Sequence, residues 1–251
     1  MPETDENAVP TPPKKRNERT EAKFFEDADK LIAEAVKLGA DYDPPNNIAK
    51  LVNLQAKRAA TAAQRTVNQA DEAAEETKRN ARENLFKSLN SDVSSLVEYA
   101  KSAGMPPNEM DALKSIAREI KGTRAKSIKP DDGKTHISVS NLSYVTRTDN
   151  YARFIEQYDT LAIPTTEDMY KAGIHRAKLE TLRQATADVI QAESVSNTSG
   201  ELLDKLAYTD PDSLLNGCIS AKSYIKSKYK STGEPYKNIA KTRFTLPSRL
   251  R

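Results

Sequence analysis

The sequence predicts an all-α protein built as one or two elongated antiparallel helical bundles, in two degenerate repeats of about 100 residues. Three observations carry this expectation. Apolar residues recur at helical spacing through most of the 251 positions. Alanine is frequent, while glycine occurs only 8 times and tryptophan is absent, a composition suited to helices with narrow apolar seams. Charge is nearly balanced, 39 basic against 36 acidic residues for a net +3, so the chain lacks the high net charge of a disordered one. Leu, Ile, Val and Phe together make up about a fifth of the residues, which points to thin cores.

Residues 1–19 are Pro-rich and mixed in charge and read as a flexible N-terminal arm. From Thr20, the residues Phe24, Ala28, Leu31, Ile32 and Ala35 share one helical face, and Gly39 supplies a left-handed stop. "DYDPPNN" (Asp41–Asn47) is a turn. It opens a helix with no breaker until about Asn90, which would be a rod of roughly 65 Å. Ile48, Leu51 and Val52 begin its seam, Ala59, Ala62, Thr66, Ala70, Ala73, Thr77 and Ala81 continue it, and Leu85, Phe86 and Leu89 close it. The flanking "DEAAEETKRNARE" reads as a solvated charged face, with Glu75 four residues before Arg79. Ser91 is the expected cap of a shorter helix carrying Val93, Leu96, Val97 and Ala100 and ending at Gly104. A second short helix places Met110, Leu113, Ala117 and Ile120 on one stripe, with Gly122 beyond its end. Residues 123–148 contain Pro130, Asp132–Gly133 and a brief alternation at Ile137 and Val139, and read as an extended linker.

The second half follows the same order. A helix from about Asp149 buries Phe154, Ile155 and Tyr158. "LAIPTTED" is a proline turn in which Thr165 and Asp168 have capping-box spacing. A long helix follows through Leu179, Leu182, Thr186, Val189 and Ile190, interrupted at "NTSG". Asp210–Pro211 is expected to open a helix with Leu215, Cys218, Ile219, Ile225 and Tyr229 on one side. Each half ends in Lys-x-Ile-Ala-(Lys/Arg), at Lys114–Arg118 and Lys237–Lys241. The division that follows is an arm over 1–19, a first repeat over 20–122, a linker over 123–148, a second repeat over 149–244 and a basic tail over 245–251.

Several chemistries find no footing in the residues. One cysteine, Cys218, excludes an intramolecular disulfide. It sits on an apolar stripe, where inert packing is the expectation over nucleophilic use. His136 and His175 form no Glu-x-x-His pair and no Cys/His cluster, so neither metal nor cofactor is expected. No Gly-rich phosphate loop can be built. The N-terminus has no apolar core of a secretory signal, and no run of about 18 apolar residues would span a bilayer. A reducing, cytoplasmic setting and a non-enzymatic role are therefore expected.

Positive charge concentrates in "PPKKRNER", in Lys114–Lys129, and in the C-terminal stretch from Lys222, where Tyr224, Tyr229, Tyr236 and Phe244 interleave with lysines. The candidate partner-binding residues are Lys237, Lys241, Arg243, Phe244, Arg249 and Arg251, with "TLPSRLR" as the free hook. The expectation is a structural or interaction protein, binding itself or another protein. Nucleic acid ranks second, through the C-terminal and Lys114–Lys129 segments, because interleaved cations and aromatics can hold phosphates and stack on bases.

Overall fold

The computed structural model describes residues 18–122 and 143–250. The N-terminal arm up to Asn17, most of the linker with His136, Pro130, Ile137 and Val139, the cations Arg124, Lys126 and Lys129, and Arg251 lie outside the described residues.

The described chain is helical throughout, with no strand among those residues. The α-helices are α1 (Glu18–Leu38), α2 (Leu51–Lys87), α3 (Leu89–Ser102), α4 (Pro107–Lys121), α5 (Tyr144–Thr160), α6 (Ala172–Asp204), α7 (Leu214–Tyr229) and α8 (Glu234–Ile239). Gly39, Gly104 and Gly122 all adopt positive φ just past helix ends, where a Cβ would be strained and glycine is not. Pro107 and Pro235 lie in the first turns of α4 and α8, where the missing N–H costs nothing.

The chain divides into two compact units. The first joins residues up to Gln69 with those from Thr198 onward, and the second comprises residues 70–197. These units group the chain differently from a division at 20–122 and 149–244: α1 packs with α7, α8 and the segment up to Leu250 in the first unit. α2 and α6 each contribute residues to both. The recurring Lys-x-Ile-Ala motif does not mark equivalent positions either. Ala117 is buried in the middle of α4, whereas Ala240 is exposed just after α8.

The first unit packs α1, α7 and α8 around Phe24, Phe25, Leu31, Leu54, Tyr208, Leu214, Cys218 and Ile225. Gly217 lets α7 approach the turn before α2. A Cβ there would lie 2.8 Å from the Leu54 side chain and 3.0 Å from the Ile48 carbonyl. The second unit packs α3, α4 and α5 with part of α6. The expected stripes Met110, Leu113, Ala117, Ile120 and Phe154, Ile155, Tyr158 are buried there.

Several sequence expectations are corrected. In the Ala/Thr seam of α2, Ala62 is half-buried and the other positions are exposed. The buried face is Leu54, Thr61 and Asn68. The reason is polar: Ser199 Oγ donates to Asn68 Oδ1 at 3.3 Å, and Gln64 donates to the Ser199 carbonyl at 3.1 Å, so hydrogen-bonding residues set the contact. The same contact carries α6 unbroken through "NTSG", with Ser199 and Gly200 buried. Ile190 and Ile219 are exposed, each one helical step of about 100° from buried Val189 and Cys218. α5 starts at Tyr144, with Ser143 accepting the Thr146 N–H at 3.1 Å, so the linker ends earlier than residue 148. Thr165 accepts the Glu167 N–H at 3.2 Å in a local turn and caps no long helix. Ser213, not Asp210, caps α7. α3 begins at Leu89, ahead of Ser91.

Candidate interaction surfaces

The C-terminal segment was the sequence's candidate surface, and most of its chemistry is spent within the first unit. Lys222 Nζ donates to the carbonyls of Ala240 (3.1 Å) and Thr242 (2.6 Å), at and just beyond the C-cap of α8. Burial lowers the Lys222 pKa against the opposing pull of Asp27. The Lys226 ammonium lies 5.8 Å from the Tyr236 ring, and that of Lys222 lies 5.9 Å from the Phe244 ring. Lys228 donates to the Asp41 carbonyl. The interleaving of cations and aromatics is thus internal packing.

The six candidate residues separate accordingly. Phe244 meets Phe24 edge-on, with centroids 6.3 Å apart. Arg249 pairs with Asp204, side chains only 13% and 19% exposed, and its guanidinium sits 5.9 Å from the Tyr208 ring. Leu250 packs against the same core. "TLPSRLR" is therefore held to the first unit through Arg249 and Leu250, while Thr245, Leu246 and Ser248 are exposed. Arg243 is anchored by its backbone, while its side chain and those of Lys237 and Lys241 are exposed. Arg251 lies outside the described residues.

Shallow grooves lie on the surface of the second unit. One, of about 420 Å³, is lined by Ser94, Ser95, Glu98, Tyr99, Ser102 and Tyr170. Its tyrosine rings stack on each other at 3.9 Å, and Tyr99 donates to the Pro164 carbonyl at 3.2 Å. The faces that would take a planar ligand already meet each other.

Another groove, of about 760 Å³, lies between α3 and α4 and is lined by Val97, Asp111, Lys114, Ala117, Arg118 and Lys121. Lys114, Arg118 and Lys121 fall at i, i+4 and i+7, on one face of α4. None of the three makes an ion pair with a described carboxylate within 4.0 Å. Arg118 Nε donates to the Lys114 carbonyl at 3.3 Å, which orients the guanidinium along the helix. Val97 and Ala117 are buried and form a low apolar floor.

Ionisable groups shifted by burial belong to the packed cores. Burial raises Tyr42, whose hydroxyl donates to the Ala49 carbonyl at 2.6 Å. It raises Tyr158 to about 12, and that hydroxyl donates to the Tyr170 carbonyl. It also raises Cys218 to about 12. Tyr151, raised chiefly by burial, contacts His175 Nδ1 at 2.7 Å, and His175 Nε2 lies 2.8 Å from the Met169 carbonyl. A carbonyl can only accept, so Nε2 donates to Met169, and in the neutral imidazole Nδ1 accepts from Tyr151. Among the described residues, no group of three His, Cys, Asp or Glu side chains is placed to hold a metal. No helix there is long and apolar enough to cross a membrane.

The sequence reading missed Arg82 and Arg147. Their guanidinium carbons lie 3.9 Å from the Tyr144 ring and 5.2 Å from the Phe86 ring. Arg147 also donates to Asn90 at 3.0 Å, and burial lowers its pKa. Both contacts join α2 to α5, so no local spacing in the sequence signalled them.

No protein-family model, curated protein or solved structure matches this chain.

Proposed function

We propose that this chain is a non-enzymatic interaction protein that binds a protein partner through the basic groove between α3 and α4. The observation that carries the reading is the row Lys114, Arg118, Lys121: three cations over an apolar floor, none of them within 4.0 Å of a described carboxylate. Cations without a described ion-pair partner are what a complementary acidic surface would neutralise. The C-terminal surface supports the reading less well, because Phe244, Arg249 and Lys222 already serve the fold. The non-enzymatic role draws support from the shifted groups: Tyr42, Tyr151, Tyr158 and Cys218 lie in the cores and line neither groove. A cytoplasmic setting is part of the proposal, in keeping with the single reduced cysteine.

The test is photo-cross-linking in cells of the source organism, from a photoreactive side chain placed at Lys114 or, in parallel, at Lys237. The reading expects a protease-sensitive, nuclease-resistant adduct from position 114 that R118E, introduced into the same chain, suppresses. Adducts from position 237 alone, or a nuclease-sensitive adduct at 114, would reject it. The latter outcome would favour nucleic acid.

A further inference from the structure

We propose that the occupant of the α3–α4 groove is a second copy of this chain, docked by the exposed stripe Glu76, Asn80, Glu83 and Lys87 of its α2. The inference rests on the reading of the groove as a protein-binding surface and names its partner.

The argument is one of matching spacing and charge. Lys114, Arg118 and Lys121 stand at 0, +4 and +7 on α4, and Glu76, Asn80 and Glu83 stand at 0, +4 and +7 on α2. At 1.5 Å per residue, both outer pairs are separated by about 10.5 Å along their helices. Glu76, Asn80 and Glu83 are exposed, and neither glutamate makes an ion pair with a described Lys or Arg. Their neighbours behave differently: Glu75 binds Arg79 at 2.6 Å, and Lys78 binds Asp188 at 2.9 Å. The charged run of α2 is therefore two-sided. One side closes pairs within its own unit, and the other presents unanswered acids.

Orientation follows from the ends of the two rows. An antiparallel approach sets Glu76 against Lys121 and Glu83 against Lys114, with Arg118 donating toward Asn80. It also brings Lys87, one turn beyond Glu83, to Asp111, one turn before Lys114. A parallel approach instead leaves Asp111 facing Ala73. Four complementary positions thus select antiparallel docking. The groove floor of Val97 and Ala117 and the exposed Ala73 beside Glu76 present little bulk, so two helix backbones can come close. Nucleic acid fits less well. Asp111 would face phosphates, and no aromatic side chain lines this groove to stack on a base. Because each copy carries both halves of the contact, two copies can dock reciprocally about a two-fold axis, or the contact runs head to tail and closes into a ring or continues as a chain.

Analytical ultracentrifugation of the full chain over a concentration series tests this. The wild type should rise above the 27.8 kDa monomer mass, and the association should weaken with added salt. K114E/K121E and E76K/E83K should each weaken it about tenfold or more. An equimolar mixture of these two variants should associate again, since one retains the acidic stripe and the other the basic groove. The four-fold variant K114E/K121E/E76K/E83K should also recover. If charge reversal lowers helicity in circular dichroism, K114Q/K121Q and E76Q/E83Q replace the reversed pairs, each expected to weaken association. A wild type that stays monomeric, an association indifferent to these changes, or a mixture that fails to recover would overturn the proposal. A monomeric chain whose position 114 still cross-links a different protein would leave the groove reading standing and remove this one alone.

Discussion

The buried carboxylate of Asp27 accepts the backbone N–H of Arg243 at 2.9 Å. This bond ties the C-terminal segment to α1, assisted by Asn238, which donates to the buried Glu34 at 3.2 Å. Asp27→Ala removes the acceptor and leaves the Arg243 N–H without it. A loss of about 1–3 kcal/mol is expected, read as a shift of the denaturant midpoint. An unchanged midpoint would show that the segment holds without this anchor.

Gly217 is a second critical position. Its added Cβ would press on the Ile48 carbonyl, which belongs to a turn whose Tyr42–Ala49 bond resists displacement. Gly217→Ala should therefore cost about 1–3 kcal/mol by overpacking. It gains no offsetting core volume, because the space is already filled by Leu54. Thermal unfolding of the variant beside the wild type measures it.

What could be read from sequence follows the same physics. The stripes of α1, α4 and α5 were legible because large apolar residues repeat at helical spacing and positive-φ glycines stop α1 and α4. The inward face of α2 was not. Alanine buries so little area that an Ala row carries almost no directional signal, and Thr61 and Asn68 turn inward on the strength of their bonding. The C-terminal strap was equally hidden, since its partners Asp27 and Asp204 lie far away in sequence. Of the site, the cations of α4 were visible as a basic run. The pairing of Lys222 with carbonyls, which discounts the rival C-terminal surface, was not.

Tyr151 and His175 form a buried polar pair inside the second unit. Tyr151→Phe keeps the ring packing but leaves Nδ1 of His175 without its donor. The expected loss is about 1–3 kcal/mol, seen as a lower midpoint at neutral pH. Replacing both, as Tyr151→Phe with His175→Leu, should recover part of it, because the unpaired acceptor goes too.

Cys218 supplies a pH prediction. Burial pushes its thiol up to about 12, with Asp29 adding to the shift. The folded chain keeps the proton, while the unfolded thiol releases it from about pH 8.5 upward. This contribution to stability is therefore complete below that value and declines as pH rises toward 12. At pH 8, alkylation of the native chain should be slow and should accelerate on addition of denaturant. Fast native labelling would contradict the packing described for α7.

The groove itself is tested most directly by lysine footprinting of the full chain at low and high concentration. With an acylating reagent and peptide mass mapping, Lys114 and Lys121 should lose reactivity as copies associate, while Lys237 and Lys241 retain theirs. Protection of Lys237 and Lys241, with Lys114 and Lys121 unchanged, would contradict the account and return the interaction to the C-terminal surface.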